Sequence, residues 1–327
     1  MRPFALAEPG TLEEAFALLD GAQNGACLMA GGSDLLSLLK EDVAHYERLV
    51  SLAGIDALRH IRQEADGMHL GASLTLTQLE YEPRLQGPYR ILAEAARGVA
   101  TPEIRNQGTL GGNLCQRPRC LHYRSALIPC LKKGGKDCPA LDSPYQHYLS
   151  IMGGHGCFSV HASDLAPALI ALDAQVTLAG PSGERTLLLD QFFAGPEQEV
   201  QRENVLTSNE VLTEVMVPEP AEGWRGTYLK ARERTAGDFP LVSVAVGYAL
   251  QEGTIRRARV VLGGVAPIPW PSAAAVAVLE GQPLSAELAA RAADAALAEA
   301  QPLPHNAFKV EIGRALVARA IMAVGVL

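Results

Sequence analysis

Residues 28–36 read LMAGGSDLL. The apolar run from Ala26 to Ala30 suits a short buried strand, Gly31 and Gly32 break it, and Ser33 or Asp34 is placed to cap the helix predicted over SDLLSLLKED. A strand that turns through bare glycines into a helix start points free backbone N–H groups and the positive end of a helix dipole at whatever sits there. An anion is the natural guest, above all a pyrophosphate. The missing side chains let such a ligand approach the backbone. The segment matches neither GxGxxG nor a Walker loop, which weighs against Rossmann and phosphoryl-transfer readings. On its own, a glycine pair before a helix is more often ordinary turn chemistry.

A second stretch of this kind, NQGTLGGNL, spans residues 106–114. Thr109 offers a hydroxyl, Gly111 and Gly112 bare backbone, and Asn113 an amide. Read alone it is a tight loop at a strand end. Two such turns in one half of a chain also suit the two ends of one long dinucleotide.

Outward from these turns, strands and helices mix without strict βαβ alternation, which predicts an α+β fold rather than a doubly wound sheet. TLEEAFALLD (11–20) opens with a Thr11 to Glu14 capping box and continues at helical spacing. RLVSLAGI (48–55) and GMHLGA (67–72) read as strands, and TLTQLE (75–80) and YRILAEAARG (89–98) as helices. DLAPALIALDA (164–174) is a helix, and AQVTLAGPSGERTLLL (174–189) a hairpin turning at Pro181-Ser182-Gly183. EVLTEVMVPEP (210–220) closes this half, and its prolines mark a boundary near 220. Beyond it GTYLKARER, LVSVAVGYAL and IRRARVVLGGV predict three strands, followed by two alanine-rich helices and a last helix over 306–324 capped by Asn306.

The length of 327 residues allows two or three domains, and 48% hydrophobic residues provide for a sizeable core. With 36 acidic against 28 basic side chains the surface repels phosphate backbones, so nucleic acid is not an expected partner. The most apolar stretch, ALVARAIMAVGVL (315–327), is thirteen residues long and carries Arg319, so no membrane span is expected. The N-terminus lacks a secretory core, with Glu8, Glu13 and Glu14 where one would lie. Taken alone, the chain is expected in the cytoplasm.

Four of the six cysteines fall in CQRPRCLHYRSALIPCLKKGGKDC (115–138), and a fifth is Cys157. A chain this long does not need disulfide staples, so the cluster points first to metal, with disulfides as the alternative. No CxxC pair is present, which disfavours a zinc ribbon, and the bacterial ferredoxin run is absent too. Wide, irregular spacing suits a loop wrapped around something larger than one ion, such as a four-thiolate cubane. Arg117, Arg119, Lys132, Lys133 and Lys136 crowd these thiols. They suit an anionic cluster, or equally a solvated basic face that docks an acidic partner. Five cysteines stand for four positions, and spacing alone does not choose among them. His122, His147, His155 and His161 are expected to be solvated loop residues rather than zinc ligands, and Cys27 to be buried packing.

AGGSDLL, TLGGNL, SDLAPALIALDA and LVSVAVGYAL through VVLGGVA, in that order, resemble the FAD-binding medium subunits of the molybdenum hydroxylases, the xanthine dehydrogenase and carbon monoxide dehydrogenase family. The resemblance implies a two-lobed FAD-binding domain of the vanillyl-alcohol-oxidase type over 1–220, then a small C-terminal sheet-and-helix domain over 221–327. NLCQRPRC, CPALDSPYQHY and CFSVHASDLAPAL are most similar to members with an extra 4Fe-4S cluster, such as periplasmic aldehyde oxidoreductase, and imply an insert over about 115–158.

Residue by residue, the resemblance puts the first FAD loop on Leu28, Met29, Ala30, Gly31, Gly32, Ser33, Asp34 and Leu35, and the second on Thr109, Gly111, Gly112 and Asn113. Asp164, Leu206 and Lys230 match further flavin contacts. For Asp164 the alternative is a helix cap, and for Lys230 a surface strand lysine. Cluster ligands fall on Cys120, Cys130, Cys138 and Cys157, and Cys115 stands where that pattern has leucine. No acid-base catalytic residue is implied. The implied partners are a large subunit with the molybdenum cofactor and a small subunit with two 2Fe-2S clusters. Electrons would reach FAD and leave to an external acceptor such as NAD, oxygen, a quinone or a ferredoxin-like protein. The insert either relays electrons or clasps the fold. Such subunits also reach the periplasm folded with a signal-bearing partner. Two rival readings are a colourless zinc-stabilised scaffold and a self-contained flavin oxidase that needs no partners.

Overall fold

Strand pairing sorts the described residues into three sheets. The computed structural model describes residues 1–19, 25–235 and 237–327; Asp20, the last residue of the expected first helix, lies outside them. The first sheet is small and parallel, in the order Ala5–Ala7, Arg48–Ser51, Ala26–Met29. Parallel pairing needs crossovers, and helix Leu35–Lys40 supplies one between Ala26–Met29 and Arg48–Ser51. Helix Leu12–Leu19 covers this sheet with Ala15 and Leu19. Only half of its expected capping box forms. The Glu14 N–H donates to Thr11 Oγ1 (3.2 Å), but the Glu14 carboxylate accepts from Gly10 N rather than from Thr11.

The second sheet is antiparallel, in the order Ile61–Glu64, Gly67–Gly71, Val211–Pro218, Gln175–Gly180, Gly183–Leu188. Val215 and Val217 are buried while Glu214 and Met216, which alternate with them, are half-buried, the period of a strand with one covered face. Helices Arg90–Gly98 and Leu165–Ala171 pack into the core on that face. The same core continues through Trp224, Tyr228, Ala245 and Val261 of the third sheet, so one apolar interior joins the two.

The third sheet, also antiparallel, runs Trp270–Pro271, Thr254–Gly263, Val242–Gln251, Trp224–Ala231. Val242 to Ala249 are buried without interruption, because helices cover this strand from both sides. On the outer side helix Phe308–Val324 inserts Val317, Ala320, Ile321 and Val324 at helical spacing. The α+β expectation holds. Among the described residues no helix is long and apolar enough to cross a membrane.

The cysteine-rich segment has almost no regular structure and is stitched to the third sheet at its far end. The N–H groups of Ile151 and Met152 donate to Val265 O, and that of His161 to Ala266 O. Asn306 is not the cap of the last helix; Ala307 occupies that position. The Asn306 amide instead donates to the carbonyls of Leu149 and Ser150. Beside it the fully buried Lys309 Nζ donates to Leu149 O (2.7 Å) and Gly264 O (2.6 Å).

Burial without a carboxylate partner pushes Lys309 down to about 7. Between that value and the ordinary lysine value of about 10.4 the unfolded chain binds more protons, so this group makes stability rise with pH. The penalty is complete below pH 7 and relieved above it. Denaturation from pH 7 to 9 should therefore show stability gaining up to about 1.4 kcal/mol per pH unit over Lys309→Met. Parallel pH profiles for the two proteins would refute this assignment.

Candidate functional site

The two glycine turns meet. At the first, strand Ala26–Met29 ends, Gly32 adopts φ +69°, and helix Leu35–Lys40 begins. Gly31 lies so close to the end of helix Pro102–Gln107 that a Cβ would fall 1.7 Å from Gln107 O. Gly108 approaches Ser33 from the other side, and Gly112 approaches Ala30. The second turn is not a plain loop: Thr109 caps a five-residue helix, Leu110–Leu114, by accepting the Gly112 N–H (3.1 Å). Backbone bonds from Leu110 to Leu74 O and from Gly111 to Ala72 O fix that helix to the large sheet. Two helix starts thus stand side by side with small residues between them; the N–H groups of Leu110 to Asn113 are already bonded within the protein, so the N–H donors suited to a diphosphate are those of the first turn.

The second turn also joins the segment holding Asp164. Asn113 Oδ1 accepts from Ser163 Oγ, and Ser163 Oγ caps helix Leu165–Ala171 through the Ala166 N–H (3.0 Å). Ser163 makes the cap, and Asp164 does not. The Asp164 carboxylate faces strand Trp224–Ala231, accepting from Tyr228 OH and, at 2.8 Å, from Lys230 Nζ. Lys230 also donates to Gly98 O (2.9 Å) and its side chain is 6% exposed, so it is not a surface lysine. Burial holds Asp164 above the ordinary carboxylate value against the opposing pull of Lys230 and Tyr228. Burial, then the Asp164 charge, also lifts the Tyr228 phenol well above its usual value. Leu206 sits at the edge of the main core with its N–H on Asn204 Oδ1, a bond that does not reach either turn.

All six cysteines of the chain, five of them in the cysteine-rich segment, are free thiols, so disulfides do not explain the clustering. Cys130 and Cys157 are buried, Cys120 and Cys138 half-buried. Burial pushes Cys120 up to about 11, and the neighbouring thiols Cys138 and Cys157 add to it. Cys138 is raised by burial and, to a lesser degree, by Cys157 and Cys130. These four thiols thus lie near enough for their charges to act on one another. Backbone N–H groups of Tyr123 and His122 are directed at Cys120, and those of Ala140 and Phe158 at Cys138. Cys115 stands apart, packed against the main core, and burial alone lifts it to about 12. Cys27 is only half-buried, yet burial still raises it to about 11.

Among the described residues no three thiols lie within 4.8 Å of one another; the one such His and carboxylate group is Glu64, Asp66 and His69 on an outlying hairpin. Tetrahedral zinc at about 2.3 Å from each sulfur needs thiols about 3.8 Å apart, a spacing that no three of these thiols have. His147 and His155 are exposed, as expected of solvated loop residues. His122 and His161 are not: both are buried, and burial drives His161 down to about 4.

A family model described as the FAD binding domain in molybdopterin dehydrogenase matches residues 2–220, and one described as the CO dehydrogenase flavoprotein C-terminal domain matches 227–324. The chain belongs to the molybdopterin dehydrogenase flavoprotein family. It is 32% identical to the aldehyde oxidoreductase FAD-binding subunit PaoB of Escherichia coli, over 90% of each chain. It is 31% identical to the carbon monoxide dehydrogenase medium chain of Hydrogenophaga pseudoflava, over 90% of this chain and 86% of that one. A solved structure of that organism's carbon monoxide dehydrogenase, lacking the Mo-pyranopterin moiety of its molybdenum cofactor, superposes with a TM-score of 0.80. It is 30% identical and covers 100% of this chain and 99% of its own. As a molybdopterin dehydrogenase flavoprotein, the chain is a subunit of an oxidoreductase.

The flavoprotein family's FAD fits what these residues offer. Gly31 packs directly on the Gln107 backbone, which holds the two turns together, and His161 Nε2 is buried without a partner beside the second turn. Sequence reasoning missed Tyr228 and Glu203. Tyr228 had a signal, since it stands two residues from Lys230 on the same strand face. Glu203 had none. It is a buried acid in a polar loop that accepts Lys132 Nζ (2.7 Å) and pairs with Arg117.

Proposed function

We propose that this chain is the electron-transfer subunit of a molybdenum-dependent complex of the aldehyde oxidoreductase and xanthine dehydrogenase type, holding FAD in residues 1–220 and a 4Fe-4S cluster in its insert. The observation that carries this reading is the contact of the two glycine turns at Gly31 and Gln107, with the cysteine-rich segment anchored beside them through the Arg117 N–H on Asp34. Leu28 to Leu35 would bind the diphosphate by backbone N–H groups, and Thr109 to Asn113 would line the other side of the same site, where Gly111 and Gly112 leave room for the ligand. Asp164 and Lys230 would meet the flavin's polar edge, and Leu206 would pack against it. Cys120, Cys130, Cys138 and Cys157 would hold the cluster, with the directed N–H groups stabilising the thiolates. FAD supplies the ability to store two electrons and release them to an acceptor. The chain's own residues bind and orient it, and no proton need move through them.

Substrate oxidation belongs to a large partner with the molybdenum cofactor, and a small 2Fe-2S partner delivers the electrons. Residues 221–327 complete the subunit. The compartment is the cytoplasm, or the periplasm if a partner carries the export signal. Identity to a subunit named for aldehyde oxidoreductase supports an aldehyde as substrate. Anaerobic addition of an aldehyde should bleach the flavin of the assembled complex and leave that of the isolated chain unchanged. Bleaching in the isolated chain would point instead to a self-contained oxidase.

Cys115 is expected to be dispensable to the cluster. Cys115→Ala should keep the iron and sulfide content of the parent protein, and a fall by half or more would place Cys115 among the ligands.

A further inference from the structure

Four cations of the insert, Arg117, Arg119, Arg124 and Lys132, do not crowd the thiols as free charges. They are held by two carboxylates, each lying in or near a segment assigned to the flavin. Asp34 immediately follows the first glycine turn. Its Oδ2 accepts the Arg117 N–H (2.8 Å), and its Oδ1 accepts Arg124 Nη2 (2.6 Å) and pairs with Arg119 Nη1 (2.9 Å). Glu203, three residues before Leu206, takes Arg117 and Lys132. Each of these cations lies within four residues of Cys120 or Cys130 in sequence.

Asp34 occupies the cap position of helix Leu35–Lys40, yet its side chain makes no cap bond. It has given up the usual local role of an aspartate there to hold a segment more than eighty residues away. The link is reinforced on the same helix. Arg124 Nη1 donates to Ser37 Oγ (3.0 Å), and Ser37 Oγ donates back to Asp34 O (2.7 Å). Leu38 packs with Tyr123 and Cys130. The Arg124 N–H donates to Cys120 O (2.9 Å). The helix that presents its N-terminal turn to the diphosphate thus presents its side to two of the cysteines.

We propose that Asp34 is a positioning residue that couples the two cofactor sites, so that filling the cysteine site orders the first glycine turn and strengthens FAD binding. This rests on the function proposed above. Coupling of this kind is reciprocal, so bound FAD must strengthen retention of the cluster by the same factor. The large partly buried charges make Asp34 a stiff tie: removing its charge leaves Arg119 and Arg124 without their shared counter-ion.

The test is a double-mutant cycle on the full chain, read by FAD dissociation constant from flavin fluorescence, not by turnover. Cys138→Ser provides the cluster-free form and should bind FAD about ten-fold more weakly. Asp34→Asn in the loaded protein should weaken FAD by a similar factor. Asp34→Asn combined with Cys138→Ser should add little further. Arg124→Gln, on the insert side of the tie, should reproduce the Asp34→Asn loss and covers the case in which Asp34→Asn fails to fold. Fully additive effects would overturn the proposal, since a merely structural aspartate weakens FAD equally with and without the cluster. If FAD and iron are both bound but Cys138→Ser leaves FAD affinity unchanged, the coupling alone fails. If the parent protein binds neither, the reading beneath it fails as well.

Discussion

Gly31→Ala is expected to reduce FAD affinity about a hundredfold, equivalent to about 2.7 kcal/mol. The new Cβ would fall 1.7 Å from Gln107 O and 2.6 Å from Gln107 C, which are backbone atoms that no rotamer change can move. Relief requires the first turn to back away from helix Pro102–Gln107, and with it from the second turn. Overpacking of this kind typically costs about 1–3 kcal/mol of stability, so a folded protein with a separated pair of turns is the expected product. Gly10→Ala serves as the control, because its Cβ would meet only Glu14 Oε2 at 3.8 Å. Titration of both variants should show the loss confined to Gly31. Equal FAD affinity in Gly31→Ala and the parent would show that the two turns do not share one ligand.

Lys230→Met should be the most destabilising single change at the site. It strands the Asp164 carboxylate, whose side chain is 3% exposed, without its cation. Breaking a buried pair from one side costs about 3–5 kcal/mol, because the remaining charge is uncompensated. Adding Asp164→Asn removes that charge and keeps an acceptor for Tyr228 OH, so the double variant should recover most of the loss in chemical denaturation. Recovery of stability without recovery of FAD content would assign the pair to the flavin rather than to the fold. If the double variant is as unstable as Lys230→Met, the cost lies in packing and the ion pair is not its source.

Much of the architecture was legible because it rests on local patterns: the helix after Gly32, the hairpin at Pro181-Ser182, and the three long strands beyond residue 220. Helix Leu110–Leu114 was not, since Gly111 and Gly112 lower its propensity and its contacts with Ala72 and Leu74 are tertiary. Strand Ile61–Glu64 was missed because an edge strand of polar residues carries no alternation of burial. At the site, the glycines and cysteines announce themselves by type. The partners do not: Asp164 meets Lys230 across 66 positions and Lys132 meets Glu203 across 71. The basic residues of the insert read as cations for an anionic cluster or equally as a docking face, because the carboxylates that hold Arg117, Arg119 and Lys132 lie in other segments. Asn306 likewise read as a cap because its competing carbonyls at 149 and 150 are far away in sequence.

The most direct measurement is the absorption spectrum of the purified full-length protein, produced with ample iron and riboflavin, alongside assays of flavin, iron and acid-labile sulfide. One FAD, four irons and four sulfides per chain are predicted, with a flavin envelope over a broad iron-sulfur shoulder that fades on reduction. A colourless protein that contains zinc, or no cofactor at all, would contradict the account.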